Sequence, residues 1–264
     1  MIGRCLLLLL ISYESLAQTY VGPTYQAMGS TGIALKGIYS LTANPAGLVG
    51  MERPTAGVSY QQHFMSADIT TQVALLGVPT RLGAFGVAVS RYGMNKAYED
   101  TKAGFSFAKQ FGSELAFGMS VSYHQFYIPA YLRVSSLSVD IGVQYRTAQG
   151  AIFGLQCTNV GRTDLGSDIS GNLPVFVGVG ASYPLAAVLV TADVQYRWQQ
   201  AIGGHFGVEY NLMEPLYLRG GISVNPMLQH AGFGIRLRSF SFDTAATFHP
   251  RLGMSPQIGI CYAF

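Results

Sequence analysis

Eight charged residues and four histidines share one parity along alternating stretches of the 264-residue chain. They are Glu114, Asp140, Asp193, Glu209, Arg219, Arg236, Arg238 and Asp243, with His124, His205, His230 and His249. Charges on an enclosed face are costly unless they are paired or wet. Asp140, Asp193, Arg219, Arg236 and Asp243 are the candidates for lumen or gate residues. The spacing puts Arg219 and Arg236 on neighbouring-but-one strands, with Asp243 on the strand beside Arg236. Such Arg–Asp pairs suit a ladder that fills an interior and pins a segment within it. A polar gate is the alternative.

Catalytic motifs are missing. The chain has no Gly-x-Ser-x-Gly elbow and no His-Glu-x-x-His. His63, His124 and His249 fall near strand ends, with Ser66, Ser122 and Ser255 around them, a coincidence expected in a Ser-rich chain. The histidines lack metal-ligand spacing. Gly32 and Gly203-Gly204 are strand or turn glycines, with no phosphate cradle. The expectation is a protein that is not an enzyme and holds neither metal nor cofactor.

Composition says which elements must position these residues. Only 11% of residues are charged and mean hydropathy is +0.28, against roughly 25% charged in an ordinary soluble domain. Beyond the first twenty residues no apolar run reaches the roughly 18 residues of a membrane helix. A closed β-barrel is then the way to cross lipid, because every backbone group must be paired internally. The net charge of +3 is too small to suggest nucleic acid. Fourteen alternating segments can be marked, near 54–62, 69–78, 82–91, 101–110, 113–125, 134–146, 150–159, 173–182, 187–197, 202–210, 215–224, 228–238, 240–248 and 256–264. In the fifth, Leu115, Phe117, Met119, Val121 and Tyr123 oppose Ala116, Gly118, Ser120, Ser122 and His124. The polar face is Ser, Thr, Gln and Gly rather than Lys and Glu, which argues against a soluble sandwich. Tyrosines cluster near strand ends and Trp198 joins them, as in the aromatic girdles of outer-membrane barrels. With the first strand running outward, even-numbered connections are tight turns and odd ones mostly longer, such as Tyr92 to Asp100 and Val160 to Asn172.

Residues 1–17 read as a signal peptide: Arg4, an apolar core from Cys5 to Ile11, and a Ser15-Leu16-Ala17 cleavage site. Residues 18–53 do not alternate, and 54–264 form the barrel. Cys157 is expected to face outward and Cys261 inward, as free thiols. The last octet, Gln257 to Phe264, resembles the assembly signal of bacterial outer-membrane barrels. Gly259, Tyr262 and Phe264 carry that resemblance, which implies recognition by the barrel-assembly machinery and outer-membrane lipid as surroundings.

The segments Met28 to Leu35 and Ser40 to Leu48, "MGSTGIAL…SLTANPAGL", resemble the N-terminal segment of the FadL/PorV/PorQ group of outer-membrane proteins. Asn44, Pro45, Ala46, Gly47 and Leu48 are the motif. The resemblance implies a hatch inside a 14-stranded barrel in the outer membrane of a Gram-negative bacterium. Two functions follow from it. PorV/PorQ-like members serve type IX protein secretion, with secretion components or secreted proteins as partners. FadL-like members take up hydrophobic compounds through a hatch-occluded barrel with a lateral opening. The short hatch favours the PorV/PorQ side. The FadL-like channel is the alternative, and a structural barrel or lipid enzyme comes after it. Only the hatch motif aligns, so no substrate-contact residue carries over. The outer loops are briefer than either branch uses.

Overall fold

The computed structural model describes residues 21–94, 97–163, 173–197 and 200–264. The expected leader and Trp198 lie outside the described residues.

Each alternating stretch forms a strand: β1 Thr55–Gln62, β2 Ile69–Thr80, β3 Gly83–Met94, β4 Tyr98–Phe111, β5 Leu115–Ile128, β6 Leu132–Arg146, β7 Ile152–Thr158, β8 Phe176–Leu185, β9 Val188–Arg197, β10 Gly203–Met213, β11 Leu216–Val224, β12 Leu228–Leu237, β13 Phe240–His249 and β14 Gly253–Ala263. Each pairs antiparallel with the next, and β14 returns to β1 from Thr55↔Ala263 to Gln61↔Gln257. The sheet therefore closes without a free edge, which lets strands sit in hydrocarbon. No described helix is long and apolar enough to cross a membrane.

The period of two sorts the side chains. Val58, Phe105, Val121, Leu137, Val179, Val194 and Ile260 point outward and are exposed. A continuous apolar band of this kind matches lipid and would be an aggregation surface in water. The inward face carries Ser106, Ser122, Ser138, Gln144, Gln156, Thr191 and Gln257, all buried. At the outer ends of β2–β5 the outward face turns polar, with Gln72↔Arg91, Arg91↔Thr101 and Thr101↔Gln125 in register.

One of the two connections expected to be long is shorter than expected; the other, Val160 to Asn172, lies mostly outside the described residues. The stretch from Tyr92 to Asp100 is mostly strand: β3 continues to Met94 and β4 begins at Tyr98. The Tyr92 and Tyr98 rings pack edge-on at 6.1 Å across this hairpin, an apolar contact that extends the ladder. The even-numbered turns are tight, as at Arg81-Leu82 and Arg238-Ser239, and short turns mark the periplasmic rim of outer-membrane barrels.

Inside lies the segment from Val21 to Met51. It holds one short helix, α1 Pro23–Ala27, and two 3₁₀ turns, Ile38–Thr42 and Pro45–Gly50. Tyr25, Met28, Ile33, Leu35, Leu41 and Leu48 make it the apolar core of the molecule. It is a hatch filling the barrel.

Because lipid solvates the outward face, Val121→Lys, midway along β5, should cost about 2–4 kcal/mol, and Gln125→Lys in the polar row about 1 or less. Urea unfolding in lipid vesicles measures both.

The hatch and its wall as the candidate functional site

The hatch is held from one side by polar groups. Asn44 precedes Pro45, which keeps it extended (φ −78°, ψ 110°) at the start of the second 3₁₀ turn. Its Oδ1 accepts from the Ala46 N–H at 3.1 Å. Its Nδ2 donates to Ile33 O at 2.8 Å and lies within reach of Val143 O at 3.2 Å and Leu155 O at 3.3 Å. One amide thus joins two parts of the hatch to β6 and β7.

The neighbouring strands repeat the pattern. Gln144 Nε2 donates to both Ile33 O and Leu35 O at 2.9 Å. Gln156 Nε2 donates to Ala43 O at 2.8 Å, and Ser182 Oγ to Ala34 O at 2.9 Å. Asp193 Oδ2 accepts from the Gly32 N–H at 2.8 Å and the Ile33 N–H at 3.1 Å. His205 Nδ1 lies 2.7 Å from Gly29 O. On β13, Thr247 receives a bond from Gln26 at 2.6 Å.

These contacts require the hatch backbone to approach the wall closely. Several inward positions between the anchoring side chains are glycine. A Cβ at Gly142 would overlap the Asn44 amide oxygen, and one at Gly118 the Pro45–Ala46 peptide. Gly154 faces Ile33 O, Gly207 faces Met28 O, and Gly221 faces the Gly29 N–H with no room for a side chain.

The opposite side of the hatch is apolar. Ile38, Leu41 and Met51 pack on Val73 and Leu75 of β2 and Ala84 of β3, in one buried cluster. Gly77 and Gly86 lie directly under Met51, Ile38 and Leu41.

The candidate charges separate into three places. Asp193 is buried and reaches the hatch; its Oδ1 makes no hydrogen bond among the described residues. Asp140 sits farther along β6, 3.3 Å from Lys102 Nζ and accepting the Asn159 N–H at 2.9 Å. Arg219 bonds Asp243 at 2.6 Å and Glu209 at 2.7 Å, bracing β10, β11 and β13 from within the wall. The observed strand order differs from the one the spacing predicts. Arg219 and Arg236 lie on adjacent strands, and Arg219, rather than Arg236, pairs with Asp243. Arg236 lies 3.8 Å from Glu209 and stacks on Tyr217. Glu114 and Arg238 are exposed at turns instead of facing the interior, because strand parity fails where the ladder ends.

Among the described residues the rings of His63, His124 and His249 bond groups other than Ser66, Ser122 and Ser255. His124 Nε2 lies 2.8 Å from Ser138 Oγ, and His63 Nε2 2.8 Å from Thr71 Oγ1. Ser255 Oγ accepts from the Phe64 N–H, and His249 Nδ1 accepts from the Arg251 and Leu252 N–H groups. Cys157 and Cys261 are free, and Cys261 faces inward beside Tyr39.

Sequence reasoning placed Asn44 and Asp193 but missed Gln144, Gln156, Ser182 and His205 as hatch anchors. Their signal was present as inward parity, with nothing to separate an anchor from an ordinary lumen residue.

No protein-family model matches the chain, and no curated protein matches it. Solved structures do. The Ralstonia pickettii toluene transporter TbuX aligns over 94% of this chain and 99% of its own, at 14% identity and a TM-score of 0.72. The Pseudomonas putida toluene transporter TodX covers the same shares at 13% identity and 0.71. A Pseudomonas aeruginosa FadL homologue aligns over 94% and 100% at 11% identity and 0.70. At these identities the likeness is one of fold alone, shared along nearly the whole chain.

Two substitutions test the wall. Asp193→Ala leaves two buried hatch N–H groups unbonded and should cost about 1–3 kcal/mol, read as faster protease cleavage within residues 21–51 of the folded barrel. Arg219→Ala strands two carboxylates and should cost about 3–5 kcal/mol. Adding Glu209→Gln and Asp243→Asn should recover part of that loss in thermal unfolding.

Proposed function

We propose that the protein is a hatch-occluded outer-membrane channel for small hydrophobic compounds. The observation that carries this reading is the two-sided hatch. From β6 to β10 it is bound by directional hydrogen bonds, whereas against β2 and β3 its contacts among the described residues are apolar, with Val73, Leu75, Ala84 and Ala88. A solute as apolar as these side chains can replace hatch contacts along that seam without leaving a polar group unpaired. The same solute entering on the polar side would strand Gln144, Asn44 or Asp193 at a cost of about 1–3 kcal/mol each. The apolar seam is therefore the path of least resistance for a hydrophobe and a barrier to polar solutes.

Two of the similar structures are toluene transporters, which supports the uptake reading that the hatch motif offered as its alternative. The secretion-accessory reading rests on that motif alone, and the proposal does not adopt it.

The test is accumulation of radiolabelled toluene by bacterial cells carrying the protein, compared with cells carrying Leu41→Asp or Leu75→Asp. Wild type should raise uptake several-fold over empty cells. Each variant should abolish most of that gain while the barrel still migrates as a folded species on unheated gels. Wild-type uptake no faster than that of empty cells would sink the proposal.

A further inference from the structure

At the outer mouth of the lumen six rings follow one another. His249 ends β13, and Phe64 and His63 lie in the 3₁₀ turn His63–Met65 after β1. Tyr92 of β3, Tyr98 of β4 and Phe126 of β5 continue the row. From His249 to Phe126 successive ring centroids are 6.3, 6.2, 5.3, 6.1 and 6.2 Å apart. The row passes the β1–β14 seam on its way from β13 to β5.

One carboxylate belongs to this row. Asp100 has the inward parity of Tyr98 and Lys102 on β4, and it is in register with Tyr92 on β3 and Phe126 on β5. An aromatic residue therefore stands beside it on each neighbouring strand, and Tyr98 stands two positions along its own. Its Oδ1 is buried and accepts no hydrogen bond among the described residues.

The charges around Asp100 are directed elsewhere. Lys102 Nζ lies 3.3 Å from Asp140 Oδ2. Asp140 is in register with Ser120, and Ser120 with Ser106, which is deeper on β4 than Lys102. Lys102 thus leans down the lumen, away from the mouth. Arg91, Glu99 and Arg133 have the opposite parity and belong to the outward face, where Arg91 pairs with Glu99.

A carboxylate among rings attracts positive charge by its own field and by the negative ring faces. Left unpaired out of water it is costly, and a bound cation offsets that cost. Calcium takes about six or more oxygen ligands, whereas the neighbours of Asp100 across the ladder are rings. The ligand that matches has an ammonium group on an aromatic body, whose ring adds to the row by edge-on or offset packing.

We infer that the outer mouth holds a binding site for aromatic amines in their cationic form, with the ammonium at Asp100 and the ring against Tyr98 and Phe126. The site lies outside the hatch and does not depend on what passes it.

The experiment is calorimetric titration of the whole barrel in detergent, near neutral pH, with phenethylamine, phenethyl alcohol, butylamine or calcium chloride. Phenethylamine should bind about tenfold more tightly than the neutral alcohol and than the ringless amine. Asp100→Asn should bring the amine and the alcohol to equal affinity, whereas Glu99→Gln, on the outward face, should keep the preference. Equal binding of amine and alcohol by the wild type, or a preference that survives Asp100→Asn, would overturn the assignment. So would calcium binding as tightly as phenethylamine. Migration on unheated gels shows whether Asp100→Asn is folded. Phe126→Leu gives a second reading if it is not: phenethylamine should weaken several-fold and butylamine should change little, and an unchanged phenethylamine affinity would count against the site.

Discussion

Every polar group of the hatch backbone must be bonded somewhere, and the hatch cannot do this alone. It has one helix of five residues and two 3₁₀ turns, so many of its carbonyls and N–H groups have no partner within the segment. It is also buried, so bulk water cannot serve them. The wall serves them instead. Ile33 shows the arrangement most fully: its N–H goes to Asp193, and its carbonyl receives bonds from Asn44 and Gln144. The inward glycines follow from the same requirement, because Asn44 could not reach Val143 O past a side chain at residue 142.

The two faces of the hatch differ in how they resist displacement. Each polar contact is worth only about 0.5–1.5 kcal/mol net, yet an unmade one costs about 1–3 kcal/mol. The polar side thus resists partial movement strongly. The β2–β3 side is held by area, at roughly 25 cal/mol per Å². Area can be lost gradually, and another apolar molecule can replace it. The same segment is therefore fixed on one side and yielding on the other, without a hinge being needed.

Much of this was legible in the sequence. All fourteen strands appear where alternation put them, because a wall with lipid on one side and a polar interior on the other enforces the period along most of every strand. The hatch motif marked Asn44 through its bond to the following Pro45. Parity failed where the ladder ends: Glu114 and Arg238 sit at turns, where the pleat no longer sets direction. It also could not choose partners. Asp243 has arginines on both β11 and β12, and only the register decides that Arg219 takes it. The glycines that receive the hatch were visible as polar-face glycines, such as Gly118 and Gly142. Their purpose required knowing what stood opposite.

The seam between β1 and β14 carries a consequence for assembly. It joins Thr55 to Ala263, the pairing most distant along the chain, and such contacts form slowly because the intervening loop must be closed first. The hatch immediately precedes β1. Glycine walls that touch its backbone leave no clearance for threading it through a finished ring. Seating the plug while the sheet is still a curved ribbon, before the final seam closes, would avoid that threading.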